Sequence, residues 1–401
     1  MPTIFVHGVN TRRDPSYDAQ QQLTARFLAR HLHGAPLGGT AINAETARFP
    51  YWGDLATPDW AMKSLPAGEI DALGGGIDNR LRPLLAAIHD ALPDATTAGH
   101  EPLLTLARHD FESAVDTLVD LALLEGDPPD VVADFAMAAQ TYAVPFRVPN
   151  QPPTWLAACT SDENFLAQFL FHAQAAAVDA PQALGVFSAI GNALATGVGK
   201  LKHAVAGAGA AVLDRAGDYA STKVLGWARN PLNENLGRFF GDVFYYMDGR
   251  GDQAHPGAIP QRVLGEWDAA LTAAPAGEPL VIVGHSLGGV ITYDLLSHFR
   301  PDLQVDLLVT VGSQVSHFEE IKLFKQSQPG AGGLIPRPAN IKRWLNVYDA
   351  VDIFAYACAR VFQGVTDYHY DTHTYVVKAH GAYFKQARFY ERLRARIDGL
   401  P

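Results

Sequence analysis

Pro279-Leu280-Val281-Ile282-Val283-Gly284-His285-Ser286-Leu287-Gly288-Gly289 decides the reading of this chain. A short run of apolar, β-branched residues ends abruptly in Gly284-His285-Ser286-Leu287-Gly288, and a helical pattern follows. That succession is a strand, a tight turn and a helix, with a serine at the apex. A serine in such a turn needs a strained backbone. Glycines two positions to either side remove the side chains that would collide with it. The turn lifts the hydroxyl clear of the sheet and sets the next N–H at a helix N-terminus. Both arrangements suit acyl transfer.

G-x-S-x-G after a buried strand resembles the nucleophile elbow of the α/β-hydrolases, and GHSLGG is the form common in their lipases and esterases. The resemblance covers residues 1–54 and 240–401, the ends that carry the strand patterns, and barely touches the interval between them. It implies an α/β fold with a mostly parallel sheet of about six strands flanked by helices. It also implies that a long insertion would form a helical cap above the carboxyl edge of the sheet.

Composition sets the outer bounds. The 401 residues suffice for one large domain with an insertion or for two domains, and 48% hydrophobic against 18% charged residues fits a sizeable core. With 31 basic and 42 acidic residues the net charge is −11, and no dense basic block occurs, which argues against nucleic acid as a partner. The two cysteines, Cys159 and Cys358, match no metal or redox spacing. Met1-Pro-Thr-Ile-Phe-Val-His-Gly8 has no basic leader and too short an apolar run for a signal peptide. No segment reaches the roughly 20 apolar residues of a membrane helix. The expectation is a cytoplasmic protein, with signal-independent export left open.

Apolar runs bounded by turn signals predict strands at Thr3–Val6, Thr46–Tyr51, Leu280–Val283, Asp306–Val311, Ile341–Val347 and Thr374–Lys378. A helix is predicted over Tyr17–His31 and an amphipathic one over Tyr383–Ile397. Residues 55–239 read as a helical insertion of Ala/Leu-rich patterns broken at Pro93, at Pro128-Pro129 and around Pro145–Pro153, with Val243–Tyr246 the next strand-like run. Right-handed crossovers and the resemblance together suggest strand order 2-1-3-4-5-6, which reverses direction between the first and third strands. Ligands bind outside the carboxyl ends at such a switch point. His7-Gly8-Val9 and Ser286 then meet there.

Acyl transfer needs a base for the serine, a carboxylate to orient that base, and two N–H donors about 3 Å from the developing oxyanion. Ile4-Phe-Val-His-Gly-Val9 resembles the loop that supplies one oxyanion donor in α/β-hydrolases, which assigns the donors to Val9 and Leu287 N–H, with His7 structural. The family order of Ser, acid, His points to His380, just past the last predicted strand, with His369, His373 and His317 as rivals. Asp349 and Asp352 both follow the fifth predicted strand. Similarity of Asn346-x-x-Asp349-x-Val351 to the acid segment of several lipases favours Asp349, with Asp352 as alternative and Glu319 third. Either aspartate also suits a helix cap.

Arg12 and Arg13, beside the first turn, are candidates for gripping an anionic substrate group. His369-Tyr-Asp371-Thr-His373 offers alternate ligands on a strand face but no fourth ligand, so no metal is assigned. Gly197-Val-Gly-Lys200 lacks the spacing of a phosphate loop. The chemistry needs no cofactor. The resemblance implies a serine hydrolase acting on carboxylic esters, of lipid or acyl type. A membrane-directed phospholipase and a non-catalytic binding protein of the same fold are the alternatives. The Ala/Gly/Leu-rich stretch 184–213 of the insertion suits an acyl channel or a lipid surface, but its composition suits tight helix packing in an ordinary cap better. Substrate identity and oligomeric state stay open.

Overall fold

A computed structural model describes residues 2–58, 101–125, 129–146, 151–176, 183–213, 237–275, 277–327, 333–374 and 376–400. Six strands form one sheet: β1 Pro2–Val6, β2 Asn43–Arg48, β3 Val281–His285, β4 Leu307–Val311, β5 Trp344–Tyr348 and β6 Val365–His369. Their spatial order is β2-β1-β3-β4-β5-β6, and every neighbouring pair is parallel. The fold is therefore α/β, with an all-parallel sheet flanked by helices. β4 is buried along its whole length, and β3 is buried except at His285. Covered on both faces, such strands read as continuous apolar runs, which is why this pair stands out in the sequence.

The outer strands differ from their predicted positions. The second strand begins at Asn43 and ends at Arg48, earlier than the predicted Thr46–Tyr51. The fifth begins at Trp344; Ile341 makes only an isolated bridge to Val305. The sixth is Val365–His369, paired residue for residue with Trp344–Tyr348. The predicted run Thr374–Lys378 is not a strand: Val376–Ala382 is a helix, and Tyr375 lies outside the described residues. The true edge strand carries no strong strand signal, because Thr366, Asp367 and His369 give it a polar character, while the β-branched Val376-Val377 pair mimics a strand. Val243–Tyr246 likewise falls inside a helix over residues 237–249. The tail is a 3-10 turn, Tyr383–Lys385, followed by a helix, Ala387–Asp398.

Alternation along the strands sorts the core into two layers. Phe5, Val281, Val283 and Val309 face helices Pro15–Leu32 and Ala387–Asp398. Ile4, Val6, Ile282 and Leu308 face residues 237–249 and helices Ala258–Ala273 and Leu287–Asp294. Helix Pro15–Leu32 starts where Asp14 Oδ1 accepts the Tyr17 N–H at 2.8 Å, with proline at the first helical position.

Among the described residues, 55–239 hold helices and no strand. Pro93 and Pro128 lie outside the described residues. Helices Phe111–Glu125, Pro129–Ala143, Asp162–Ala176 and Ala183–Leu213 pack on one another, and Pro129–Ala143 packs on Pro15–Leu32. Their buried side chains continue the core of that face of the sheet. Leu194, Val198 and Leu201 of the Ala/Gly/Leu-rich stretch are buried in this packing. Three polar contacts pin helix Phe111–Glu125 to the chain's last quarter: Arg388 to Glu112 at 2.9 Å, Lys385 to Asp120 at 2.6 Å and Gln386 to Asp116 at 3.2 Å. Arg388 and Glu112 are both buried, so either one left alone would be a costly uncompensated charge. No helix among the described residues is long and apolar enough to cross a membrane.

Candidate active site

β1 and β3 are neighbours in register, Val6 opposite Gly284, so the segments that leave their carboxyl ends meet. Ser286 sits there with φ 53° and ψ −128°, in the left-handed half of the map that a non-glycine residue adopts only under constraint. Its N–H donates to Val311 O at 3.0 Å, and its carbonyl accepts from Ser313 Oγ at 2.8 Å. The glycines around it are required by close backbone approach. A Cβ at Gly288 would collide with the Val6 and His7 carbonyl oxygens, and one at Gly284 would lie 2.6 Å from Gly289 Cα. One at Gly8 would lie 2.6 Å from Ser286 Cβ. Leu287 opens the helix Leu287–Asp294, so its N–H belongs to the first turn, which has no intrahelical acceptor.

Ser286 Oγ lies 2.8 Å from His380 Nε2. The other ring nitrogen, Nδ1, faces Asp352, 2.9 Å from Oδ2 and 3.0 Å from Oδ1. The same carboxylate accepts the Phe354 N–H at 3.0 Å and the Tyr383 hydroxyl at 2.9 Å. With the carboxylate as acceptor, Nδ1 carries the ring proton and Nε2 is free to accept from the serine. Serine, histidine and aspartate thus form one continuous hydrogen-bonded chain. Ser286 and Asp352 are buried, while His380 is partly exposed.

The carboxylate that meets His380 is Asp352, not Asp349, which the sequence favours as the acid. Asp349 faces elsewhere: its carboxylate accepts from Val351 N–H, Thr372 N–H and the Thr372 hydroxyl at 2.6–3.0 Å. It closes a loop; it does not approach the imidazole. The physical reason is the turn after β5, in which Asp352 N–H donates to Asp349 O and Phe354 comes to pack on the His380 ring. That helix, Val376–Ala382, delivers the histidine; the predicted strand does not exist.

The rival residues lie apart from the serine. His369 rests against the Tyr348 ring at 5.7 Å, His317 stacks on Tyr356 at 4.7 Å, and His373 is exposed beside Asp371. Glu319 bonds Lys322 and Ser327. Arg12 is engaged internally, donating to Asp242 and to the carbonyls of Thr11 and Thr57. Arg13 is exposed and lies over the Tyr51 ring at 5.2 Å.

Sequence reasoning missed three supporting residues. Tyr383 bridges the two aspartates, donating to Asp352 and accepting the Asp349 N–H at 2.9 Å. Burial, reinforced by the Asp352 charge, raises its hydroxyl pKa far above the ordinary value. His285, inside the elbow, donates from Nε2 to the His380 carbonyl at 2.9 Å, tying the nucleophile's turn to the helix of the base. Desolvation, with the neighbouring His380 ring, lowers it to about 3, so it is a neutral donor. Phe354 packs on the His380 ring at 5.1 Å and on Phe239 at 4.3 Å. Nothing in local spacing marks these three.

His7 is structural, as its packing explains. It stacks on Trp52 at 4.6 Å and accepts that residue's N–H on Nε2 at 3.1 Å, while Nδ1 donates to Gly8 O at 2.9 Å. Burial lowers its pKa to about 4. No known family model matches the chain, and neither a curated protein nor a solved structure does. The site therefore stands on its own geometry.

Proposed function

We propose that the chain is a serine hydrolase of carboxylic esters with an α/β-hydrolase-like architecture. The observation that carries this reading is the unbroken chain Ser286 Oγ, His380 Nε2, His380 Nδ1, Asp352, centred on a serine held at positive φ. A binding protein has no use for a strained serine aligned with a base and a carboxylate. In this reading Ser286 Oγ attacks the ester carbonyl carbon as His380 Nε2 takes the hydroxyl proton. The oxyanion is held by the N–H groups of Val9 and Leu287, and Asp352 steadies the imidazolium. Nε2 returns the proton to the departing alcohol. Water then adds to the acyl-enzyme with His380 again as base, and the acid leaves.

The test is labelling by a fluorophosphonate probe followed by turnover of p-nitrophenyl esters. Labelling of the wild type and its loss in Ser286→Ala, with the fold retained by circular dichroism, is expected. An unlabelled, inert wild type would end the reading in favour of a non-catalytic binding protein. One observation favours a lipid-directed variant of the same chemistry: Phe240, Phe244 and Tyr245 on residues 237–249, and Val351 and Ile353 beside Asp352, expose apolar side chains. Rates on monomeric against micellar esters of rising chain length separate a phospholipase or lipase from a short-chain esterase.

A further inference from the structure

The loop after β1 is held by a set of hydrogen bonds that the reaction above does not itself use. Gly8 O accepts from His7 Nδ1 at 2.9 Å and from the Thr11 hydroxyl at 3.1 Å. In a trans peptide the N–H points opposite to the carbonyl, so fixing Gly8 O fixes the direction of Val9 N–H. The next peptide is fixed as well. Asn10 sits at φ 58° and donates its N–H to Asp242 Oδ2 at 2.8 Å. Asparagine tolerates such an angle better than other non-glycine residues, and the contact to Asp242 holds it there.

Asp242, from residues 237–249, is fully buried and receives four donors. Besides Asn10 N–H these are Arg12 Nη1 at 3.2 Å, Arg12 Nη2 at 2.8 Å and Thr57 N–H at 3.1 Å. Arg12 Nη2 also donates to Thr57 O at 2.9 Å. One carboxylate therefore joins the loop after β1, the segment after β2 and the helix over residues 237–249. The loop it secures lies against the nucleophile, since a Cβ on Gly8 would stand 3.2 Å from Ser286 Oγ.

We propose that Asp242 and Thr11 are positioning residues that aim the Val9 N–H at the oxyanion, by locking the two successive peptide planes on either side of Val9. The inference rests on the hydrolase reading and adds to it the residues that hold one half of the oxyanion hole. Neither residue touches the reacting atoms. Each acts through the backbone.

The experiment compares wild type, Asp242→Asn and Thr11→Val on p-nitrophenyl butyrate, with two inhibitors of equal chain length. An alkyl trifluoromethyl ketone forms an oxyanion with Ser286; the corresponding methyl ketone binds without forming it. Asp242→Asn is expected to lower kcat about 30-fold, and Thr11→Val about 5-fold, with KM changed by less than about 2-fold. Affinity for the trifluoromethyl ketone should fall by matching factors while that for the methyl ketone is kept. Unchanged kcat and trifluoromethyl ketone affinity in folded Asp242→Asn overturns the proposal. So does an equal loss for both ketones, which marks a merely structural role. If Asp242→Asn does not fold, Thr11→Val decides by the same two readouts. A wild type inert to ester and fluorophosphonate alike removes the hydrolase reading and this inference with it, whereas a reactive wild type with indifferent variants removes the inference alone.

Discussion

The two halves of the candidate site are built on different principles. Around Ser286, the elbow Val281–Gly289 is organised by backbone against backbone, and only the adjoining loop His7–Asn10 is tied down by side chains, those of His7, Thr11 and Asp242. The elbow's glycines exist because carbonyls and Cα atoms crowd within contact distance, and the serine among them sits at φ 53°. The half that carries the base and the acid, Asn346–Phe354 with Val376–Tyr383, is organised by side chains reaching across the fold. Asp352 is defined by what it accepts from His380, Tyr383 and Phe354, segments up to 31 residues away. Backbone crowding leaves a local signature in sequence. Side-chain partnership does not.

If the halves cooperate as one catalytic unit, the largest effects come from the atoms where they join. Ser286→Ala and His380→Ala are each expected to lower kcat roughly 10⁶-fold, and the double variant little further, as groups that act as a unit do. Clearly additive losses would break the unit apart. The next effect separates the two aspartates. Asp352→Asn should cost about 10⁴-fold in kcat by upsetting the orientation and proton placement of the imidazole. Asp349→Asn should cost less than about 10-fold, with its main effect on stability through the contacts to Thr372 and Val351. Steady-state kinetics on both variants checks the assignment, and the reverse order of effects would restore Asp349.

How much was legible follows the same division. β3 and β4 could be read because a strand covered on both faces is apolar throughout, and the elbow because glycine spacing records steric need. The order of the sheet followed from crossover handedness together with the resemblance to the α/β-hydrolases. β6 was not legible, since an edge strand carrying Thr366, Asp367 and His369 has no strong alternation, and Val376-Val377 looked more strand-like than it. The acid was misassigned for a related reason. The Asn346-x-x-Asp349-x-Val351 resemblance pointed to Asp349, and only the turn between the two aspartates decides which carboxylate faces His380. Tyr383 and His285 could not be found at all, because their roles exist only once remote segments touch.

The backbone-built half nonetheless depends on protonation. His7 is buried and neutral, its pKa lowered to about 4 chiefly by desolvation, with the Gly8 carbonyl and Asp242 opposing that shift. A group whose folded value lies below its unfolded value of about 6.5 binds more protons unfolded. Its contribution is complete above about pH 6.5 and is lost as pH falls toward about 4, amounting to about 3 kcal/mol. Urea denaturation of wild type and His7→Gln across that interval should show a steeper pH dependence in the wild type. Parallel curves would mean that His7 titrates alike in both states, and that the elbow region owes nothing to its neutrality.

The smallest effect on activity probes the opposite half. Tyr383→Phe removes the hydroxyl that donates to Asp352 and accepts the Asp349 N–H. Leaving that N–H buried without a partner costs about 1–3 kcal/mol of stability. The carboxylate keeps its Phe354 donor, so kcat should fall only about 3- to 10-fold. A double-mutant cycle sharpens the point. If Tyr383 acts by orienting the carboxylate, adding Tyr383→Phe to Asp352→Asn should lower kcat little further, while the stability loss through Asp349 persists. Activity losses that multiply in full would instead make Tyr383 independent of Asp352, and the side-chain half of the site would no longer be a single connected network.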